Sequence, residues 1–314
     1  MTGPKYRAHL PQLDGGMFLT DGGIETVLIF HEGLDLPAFA AFDLLKDETG
    51  TAALRDYYEP YLGLAREREI GFVLESPTWR ASPRWAGEIG YDGGELDQFN
   101  RRAIALMEDL RAEYETPDAP IVISGCIGPQ DDAYNPSELL SPQEARDYHC
   151  VQIATFADTG ADMVTAMTLT YAGEASGLAR AAAEHGMPVV IGFTLETDGR
   201  LPSGQPLHEA IEQVDQETGG APEYYMLNCA HPTHIASGHE RVRALRANAS
   251  KRSHEELDEA DDLDEGDPVE LAAGYVALGS KLPELNVLGG CCGTDHRHVR
   301  AIRDAWLAEP ALRR

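Results

Sequence analysis

The stretch from residue 163 to residue 193 reads MVTAMTLTYAGEASGLARAAAEHGMPVVIGF and contains two apolar runs separated by a helical pattern. The apolar runs are Met163–Met167 and Val189–Phe193, which have the length of buried strands. Between them, within Gly173–His185, apolar residues recur at a spacing that fits a helix better than a strand. A strand, a helix and a second strand in this order predict a βαβ unit with two parallel strands.

The same alternation extends along the whole chain. The other predicted strands are Met17–Thr20, Gly71–Glu75, Ile121–Gly125, Tyr225–Asn228, Ala244–Asn248 and Val287–Gly290. Further helical patterns are Thr51–Glu69, Glu95–Glu115, Pro142–Thr159, Pro268–Lys281 and a last helix from the candidate cap Asp295 through Trp306. Eight βα units predict a (β/α)₈ barrel of the TIM type, and a doubly wound open sheet is the alternative. The seventh strand is the weakest, because its sequence is barely apolar.

Length and composition predict one domain. The chain has 314 residues, which lies within the range of an α/β barrel, and it shows neither an internal repeat nor a dividing linker. We therefore expect a single domain over residues 1–314, with an acidic surface insertion near residues 251–267. Because the sequence has no long apolar run and no apolar core of a signal peptide, we expect a soluble, cytoplasmic protein.

The net charge restricts the partners. A formal charge of −28, from 53 acidic and 25 basic residues, repels nucleic acid and anionic membranes. We interpret it as a solvated acidic surface, which would suit a salt-rich cytosol because salt screens the repulsion. The expected partners are therefore small molecules, and the formation of a homo-oligomer is left open.

Three of the five cysteines follow the sixth and eighth predicted strands, Cys229 after the sixth and the pair Cys291 and Cys292 after the eighth. The C-terminal ends of barrel strands meet at one face, so these thiols are expected to converge where barrel active sites lie. Three thiolates leave one position open on a tetrahedral zinc ion, which is typical of a reactive site. Alternatives for the adjacent pair are buried packing and a vicinal disulfide.

The other thiols and the nearby histidines are expected to play lesser parts. Cys126, at the end of strand three, is interpreted as a small buried wall residue, and Cys150 as part of the core. Histidines next to the cysteines are alternative ligands, but a fourth protein ligand would close the metal site, so we expect them at the surface. These histidines are His231, His234, His296 and His298.

Asp21-Gly22-Gly23 follows the first predicted strand. It is either a tight turn or a carboxylate aimed at a substrate ammonium beside a close backbone. No glycine-rich nucleotide signature, P-loop lysine or Gly-x-Ser-x-Gly motif is present in the sequence.

Several of these stretches together resemble the homocysteine S-methyltransferase family, which includes betaine- and S-methylmethionine-dependent enzymes. The matching stretches are Leu19–Gly23, Ser124–Pro129, Asn228-Cys229, Gly289–Thr294 and, more weakly, Phe193–Gly204. The resemblance implies a (β/α)₈ barrel in which Cys229, Cys291 and Cys292 bind Zn²⁺. It also implies that the open metal position receives the thiol of homocysteine, which takes a methyl group from a sulfonium or quaternary ammonium donor to give methionine. No catalytic side chain beyond the zinc site is predicted.

One position departs from the family pattern. Members that use homocysteine carry a glutamate for the ammonium at the end of strand four, where this chain has Met167. We predict that Glu75 replaces it and holds the ammonium together with Asp21. Thr78 and Trp79 follow on the same stretch and are expected in the substrate pocket, where Trp79 either offers an aromatic face to a cationic donor or has an ordinary packing role. Alternatives are a different small thiol as acceptor, binding without turnover, and a thiol-redox protein.

Overall fold

The protein folds as a closed barrel of eight parallel strands that neighbour one another in chain order. The computed structural model describes residues 3–134, 136–236, 238–258, 260 and 262–309. The strands are β1 Phe18–Leu19, β2 Gly71–Glu75, β3 Ile121–Ile127, β4 Met163–Leu169, β5 Val189–Phe193, β6 Tyr224–Asn228, β7 Val242–Ala247 and β8 Val287–Gly290. The predicted (β/α)₈ barrel is therefore confirmed, and the open-sheet alternative is wrong.

Strand pairing closes the barrel between its first and last strands. Leu19 of β1 lies opposite Phe72 of β2 on one side and Leu288 of β8 on the other. The weakly predicted seventh strand is present, although it begins two residues earlier than expected, at Val242 instead of Ala244. Its Arg246 pairs with β6 and β8, so a charged side chain belongs to the barrel wall. That arginine is why the strand looked barely apolar in the sequence.

Helices cover the outside of the barrel. They are α1 Glu48–Glu67, α2 Pro83–Glu88, α3 Gly93–Tyr114, α4 Pro142–Ala157, α5 Ala172–Glu184, α6 Leu207–Thr218, α7 His254–Asp258, α8 Pro268–Leu278 and α9 His296–Ala308. The predicted cap Asp295 accepts a hydrogen bond from the backbone of Arg297 at the start of α9. Short helical turns at Pro11–Asp14, Thr26–His31, Pro37–Phe39, Ala41–Lys46 and Pro232–His234 complete the elements.

Two helices were not predicted from the sequence. In α6 the buried residues Leu207, Ala210, Ile211 and Val214 follow a helical spacing that the sequence already contained. The six-residue helix α2 begins at a proline and carries too few apolar residues to show a period. Helix α7 lies in the acidic segment near residues 251–267, of which residues 259 and 261 lie outside the described part. No helix in the described ranges is long and apolar enough to cross a membrane.

Inward-facing side chains fill the barrel and place the polar residues of its upper end. A core inside the strands includes Val73, Val122, Met163 and Val287. Alternate residues of a strand point to the same face, so Glu75 points inward two residues after Val73. The C-terminal ends of the strands therefore bring inward-facing polar groups to one end of the barrel.

Candidate active site

The three predicted cysteines meet at the C-terminal end of the barrel. Their sulfur atoms all lie within 4.8 Å of one another. The Sγ of Cys229 lies 2.6 Å from that of Cys291 and 3.7 Å from that of Cys292. Cys229 adopts a positive φ of 52°, and Gly293 a φ of 77°, so two left-handed turns direct the thiols toward each other.

This donor set suits zinc. Sulfur ligands about 2.3 Å from a tetrahedral metal lie roughly 3.8 Å apart, and the 3.7 Å between Cys229 and Cys292 matches that spacing. The 2.6 Å between Cys229 and Cys291 must widen by about 1 Å when both bind one metal. Hydrogen bonds from Cys291 and Cys292 lower the pKa of the Cys229 thiol, and the same contacts raise the pKa values of Cys291 and Cys292, so the cluster favours one thiolate, at Cys229.

None of the four histidines belongs to the thiol cluster in the described part of the chain. His231 hydrogen-bonds the Thr233 hydroxyl at 2.8 Å, and His234 the Lys251 carbonyl at 3.0 Å. The expectation of surface positions is right for His296 and wrong for the other three, which are buried. The third of these, His298, is held within the cap of α9. Each buried ring has a local structural partner that the sequence did not reveal.

Tyr134 is a neighbour of the thiols that the sequence analysis missed. Its hydroxyl donates to the Sγ of Cys229 at 3.4 Å and lies 4.0 Å from that of Cys292. The phenol ring stacks on His254, with 4.3 Å between ring centroids. Tyr134 lies in the irregular segment after β3, where no periodic pattern could have identified it.

Asp21 is buried and paired with an arginine that the sequence analysis also missed. The Nη1 atom of Arg246 lies 2.6 Å from Asp21 Oδ1, and the Tyr57 hydroxyl donates to Asp21 Oδ2 at 2.7 Å. Arg246 further donates to the carbonyl groups of Gly22, at 2.8 Å, and Gly290, at 3.0 Å. The Asp21 turn is therefore tied to β7 and β8, and its carboxylate already has a cationic partner within the protein.

Glu75 carries a buried carboxyl group with free oxygens. It is 3% exposed, and neither carboxylate oxygen has a hydrogen-bond partner. Burial raises the pKa of Glu75 to about 7, although Arg246 and the hydroxyls of Ser124 and Thr165 act in the opposite direction. Met167 lies in the same inner core and contributes no charge. Glu75 is thus an inward-facing carboxyl group that makes no geometrically good hydrogen bond to the described residues, although the hydroxyls of Ser124 and Thr165 lie close enough to favour its charged form.

Thr78 and Trp79, in the segment after β2, already make contacts within the protein. The Thr78 hydroxyl donates to the Cys126 carbonyl at 2.7 Å, which ties this segment to β3. The Arg80 guanidinium lies 4.2 Å from the centroid of the Trp79 ring, so it covers one face of the aromatic surface expected to receive a cationic donor. Cys126 is buried in the inner core, as expected for a wall residue, and Cys150 is only partly buried beside the outer core.

A further carboxylate, Glu25, follows the Asp21 turn. Burial raises the pKa of Glu25 to about 7, and the neighbouring Cys291 thiol and Asp21 raise it further. Electrostatic interactions with Arg246 and Arg80 also place it at this end of the barrel. Its sequence context, two residues after a glycine pair, gave no signal of this position.

Comparison with known proteins identifies the family and agrees with the fold. The family described as homocysteine S-methyltransferase matches residues 18–306. The structure is similar to the oxidised form of the homocysteine methyltransferase MmuM from Escherichia coli, with a TM-score of 0.70, 18% identity and coverage of 93% of this chain and 97% of that chain. The metallated form of MmuM gives a TM-score of 0.64, 16% identity and coverage of 94% and 98%. No curated protein sequence matches significantly.

Proposed function

This chain belongs to the homocysteine S-methyltransferase family, and from that premise we propose that it moves a methyl group from a sulfonium or quaternary ammonium donor to the thiol of homocysteine, with Zn²⁺ bound by Cys229, Cys291 and Cys292. The proposal rests mainly on the cluster of three sulfur atoms, which lie within 4.8 Å of one another at the C-terminal end of the barrel. Three sulfur ligands leave a fourth position for the acceptor thiol.

The chemistry needs a thiolate at neutral pH, because the thiolate and not the thiol is the nucleophile. Zn²⁺ held by Cys229, Cys291 and Cys292 would supply this by lowering the pKa of the acceptor thiol, whose proton passes to solvent. The acceptor sulfur then forms a bond to the methyl carbon as the bond between that carbon and the donor's sulfur or nitrogen breaks. The bonding pair leaves with the donor, which departs as a neutral thioether or amine.

The protein's own residues position the acceptor. Glu75 is the buried carboxyl group with free oxygens, so it accepts hydrogen bonds from the acceptor's ammonium. Asp21 contributes negative charge beside it, although its partner Arg246 reduces that contribution. The hydroxyl of Tyr134 stabilises the Cys229 thiolate and thereby keeps the ligand charged.

A second candidate acceptor is a small thiol without an ammonium group. Two observations favour it: Met167 provides no charge, and Asp21 is already paired with Arg246. Under this alternative the thiol and zinc chemistry are unchanged. The only difference is that the wall of the acceptor pocket does not bind an ammonium group.

The proposed function is tested by incubating the zinc-loaded protein with a panel of thiols and a panel of methyl donors and measuring product mass. We expect homocysteine to gain one methyl group, and we expect the product to disappear after zinc is removed by a chelator. If no thiol is methylated by any sulfonium or quaternary ammonium donor, the proposal is wrong.

Glu75→Gln separates the two acceptors. Losing a charge-assisted contact should lower kcat/KM for homocysteine by roughly ten- to a hundredfold, whereas a thiol lacking the amino group should lose less. The zinc content should be the same as in the wild type. Equal losses for both thiols, or no loss for either, would show that Glu75 does not hold the ammonium.

A further inference from the structure

Arg80 is a buried cation whose hydrogen-bonding groups are left open. The residue is only 7% exposed, and its Nε and Nη1 atoms have no hydrogen-bond partner and almost no contact with solvent. Burying a guanidinium without a hydrogen-bonded anion is unfavourable, and such a group is normally paired. No described residue forms an ion pair or hydrogen bond with these two atoms, and the carboxylates of Asp132 and Glu25 act on the guanidinium only from beyond ion-pair distance.

Two indole rings hold the Arg80 guanidinium in place. Its Cζ atom lies 4.2 Å from the ring centroid of Trp79 and 3.6 Å from that of Trp85. These cation–π contacts compensate part of the lost hydration. A guanidinium that stacks on an aromatic ring does so through its flat face, and its hydrogen-bond donors then lie at its edge. The arrangement therefore fixes the donors in one orientation and leaves them free.

Arg80 lies at the same end of the barrel as the thiol cluster. It follows β2 at the C-terminal end of the barrel, and the Trp79 carbonyl accepts a hydrogen bond from the backbone of Gly128 after β3. Tyr134 and Glu25 interact electrostatically with Arg80. Tyr134 in turn hydrogen-bonds the Cys229 thiol. Tyr134 is therefore the residue that connects the guanidinium with the thiol cluster.

We propose that Arg80, held between Trp79 and Trp85, binds the carboxylate of a substrate. The edge of a guanidinium matches the two oxygens of a carboxylate, and such pairs are commonly bidentate. The inference rests on the proposed methyl transfer, because homocysteine, betaine and S-methylmethionine all carry a carboxylate. Arg80 then determines specificity by selecting substrates with this group over those that lack it.

The carboxylate has two sources, the acceptor and the donor, and substrate analogues distinguish them. On the acceptor side, homocysteine is compared with 3-aminopropanethiol, its decarboxylated analogue. On the donor side, S-methylmethionine is compared with trimethylsulfonium, and betaine with tetramethylammonium. If the preference for the carboxylate-bearing member depends on Arg80 only on the acceptor side, Arg80 binds the acceptor's carboxylate. If it depends on Arg80 only on the donor side, Arg80 binds the donor's carboxylate.

The variants are Arg80→Met and Arg80→Lys. As a control, Arg66→Met removes an arginine that also lies over an aromatic ring, Tyr114, but on the exposed surface of α1. Affinity is measured by calorimetric titration of each substrate into the zinc-loaded protein, and KM and kcat are measured in parallel. Melting temperatures show whether each variant is folded.

We expect Arg80→Met to lower the affinity for one carboxylate-bearing substrate by roughly ten- to a hundredfold. The affinity for the analogue of that substrate without a carboxylate should not change. The affinity of Arg80→Lys should lie between those of the wild type and Arg80→Met. Lysine keeps the positive charge but lacks the paired donors that bind both carboxylate oxygens. Arg66→Met should behave as the wild type. Unchanged affinities, or equal losses for substrates with and without the carboxylate, would overturn the proposal and leave Arg80 as a structural cation between two indoles.

The two proposals fail in different ways. Selective carboxylate binding without turnover by the wild type would contradict the proposed methyl transfer but support the role of Arg80. Methyl transfer that is unchanged in the Arg80 variants would support the proposed methyl transfer and contradict the role of Arg80. If the zinc-loaded wild type neither binds nor methylates any of these substrates, both are overturned.

Discussion

The Nη1 atom of Arg246 lies 2.6 Å from the Oδ1 atom of Asp21, and both side chains are buried. This ion pair joins the segment after β1 to β7, on either side of β8, and it is reinforced by the Tyr57 hydroxyl. The same carboxylate was expected to hold the substrate ammonium. The structure therefore gives Asp21 a second role, as the anchor of a cation in the wall of the active site.

Removing Arg246 should destabilise the protein. Arg246→Met leaves the Asp21 carboxylate buried without a cation, and breaking a buried pair from one side costs about 3–5 kcal/mol. The double variant Asp21→Asn with Arg246→Met removes both charges and should lose less than the sum of the two single variants. Urea unfolding of the three variants measures this difference. Additive losses would mean that the two residues do not stabilise each other.

The stability of the protein should depend on pH through Glu75. Its folded-state pKa of about 7 lies above the ordinary value of 4.5, so the folded protein holds this proton more tightly than the unfolded chain. The tighter proton binding stabilises the folded state fully below pH 4.5, and this stabilisation is lost as the pH rises through about 7. The resulting change in the free energy of unfolding is roughly 3 kcal/mol.

Glu75→Gln tests this directly, because glutamine does not ionise. The variant should be more stable than the wild type at pH 8 and close to it at pH 5, as measured by urea unfolding of the metal-free protein at both pH values. A stability difference that is the same at both pH values would contradict a raised pKa for Glu75.

Salt should stabilise the protein. A formal net charge of −28 produces self-repulsion in the compact state, and salt screens it. We expect the melting temperature to rise from low to molar potassium chloride. A melting temperature that does not change over this range would rule out adaptation to a salt-rich cytosol, but it would leave the proposed enzymatic function untouched.

Zinc content should depend on all three cysteines. The purified, reduced protein should contain about one zinc per chain. Changing Cys229, Cys291 or Cys292 to alanine removes one of three ligands and should remove most of the metal, whereas Cys126→Ala should not. Metal analysis measures this. Full zinc retention in all three single variants would show that the cluster is not the metal site.

The sequence predicted the barrel and the cysteine cluster because both depend on local, periodic signals. Strands such as Gly71–Glu75 and Val189–Phe193 are apolar runs of the right length, and their predicted bounds match the structure. The cysteines follow strands, and the geometry of a barrel then brings them together.

The remaining site residues depend on contacts between distant segments, which no local pattern encodes. Arg246 is a single charge in a strand, and only the fold shows that its partner is Asp21, 225 residues away. Tyr134 and Arg80 lie in irregular segments, and the burial of Arg80 against Trp79 and Trp85 follows from the packing of the segment after β2 against helix α2. Such positions can be found only once the tertiary structure is known.

X-ray absorption at the zinc edge measures whether three cysteines hold zinc and whether the acceptor thiol takes the fourth position. Without substrate, we expect three sulfur ligands at about 2.3 Å and one lighter ligand. After addition of homocysteine, the number of sulfur ligands should rise to four. A metal with four protein ligands that does not change on addition of the thiol, or a site without zinc, would contradict the account.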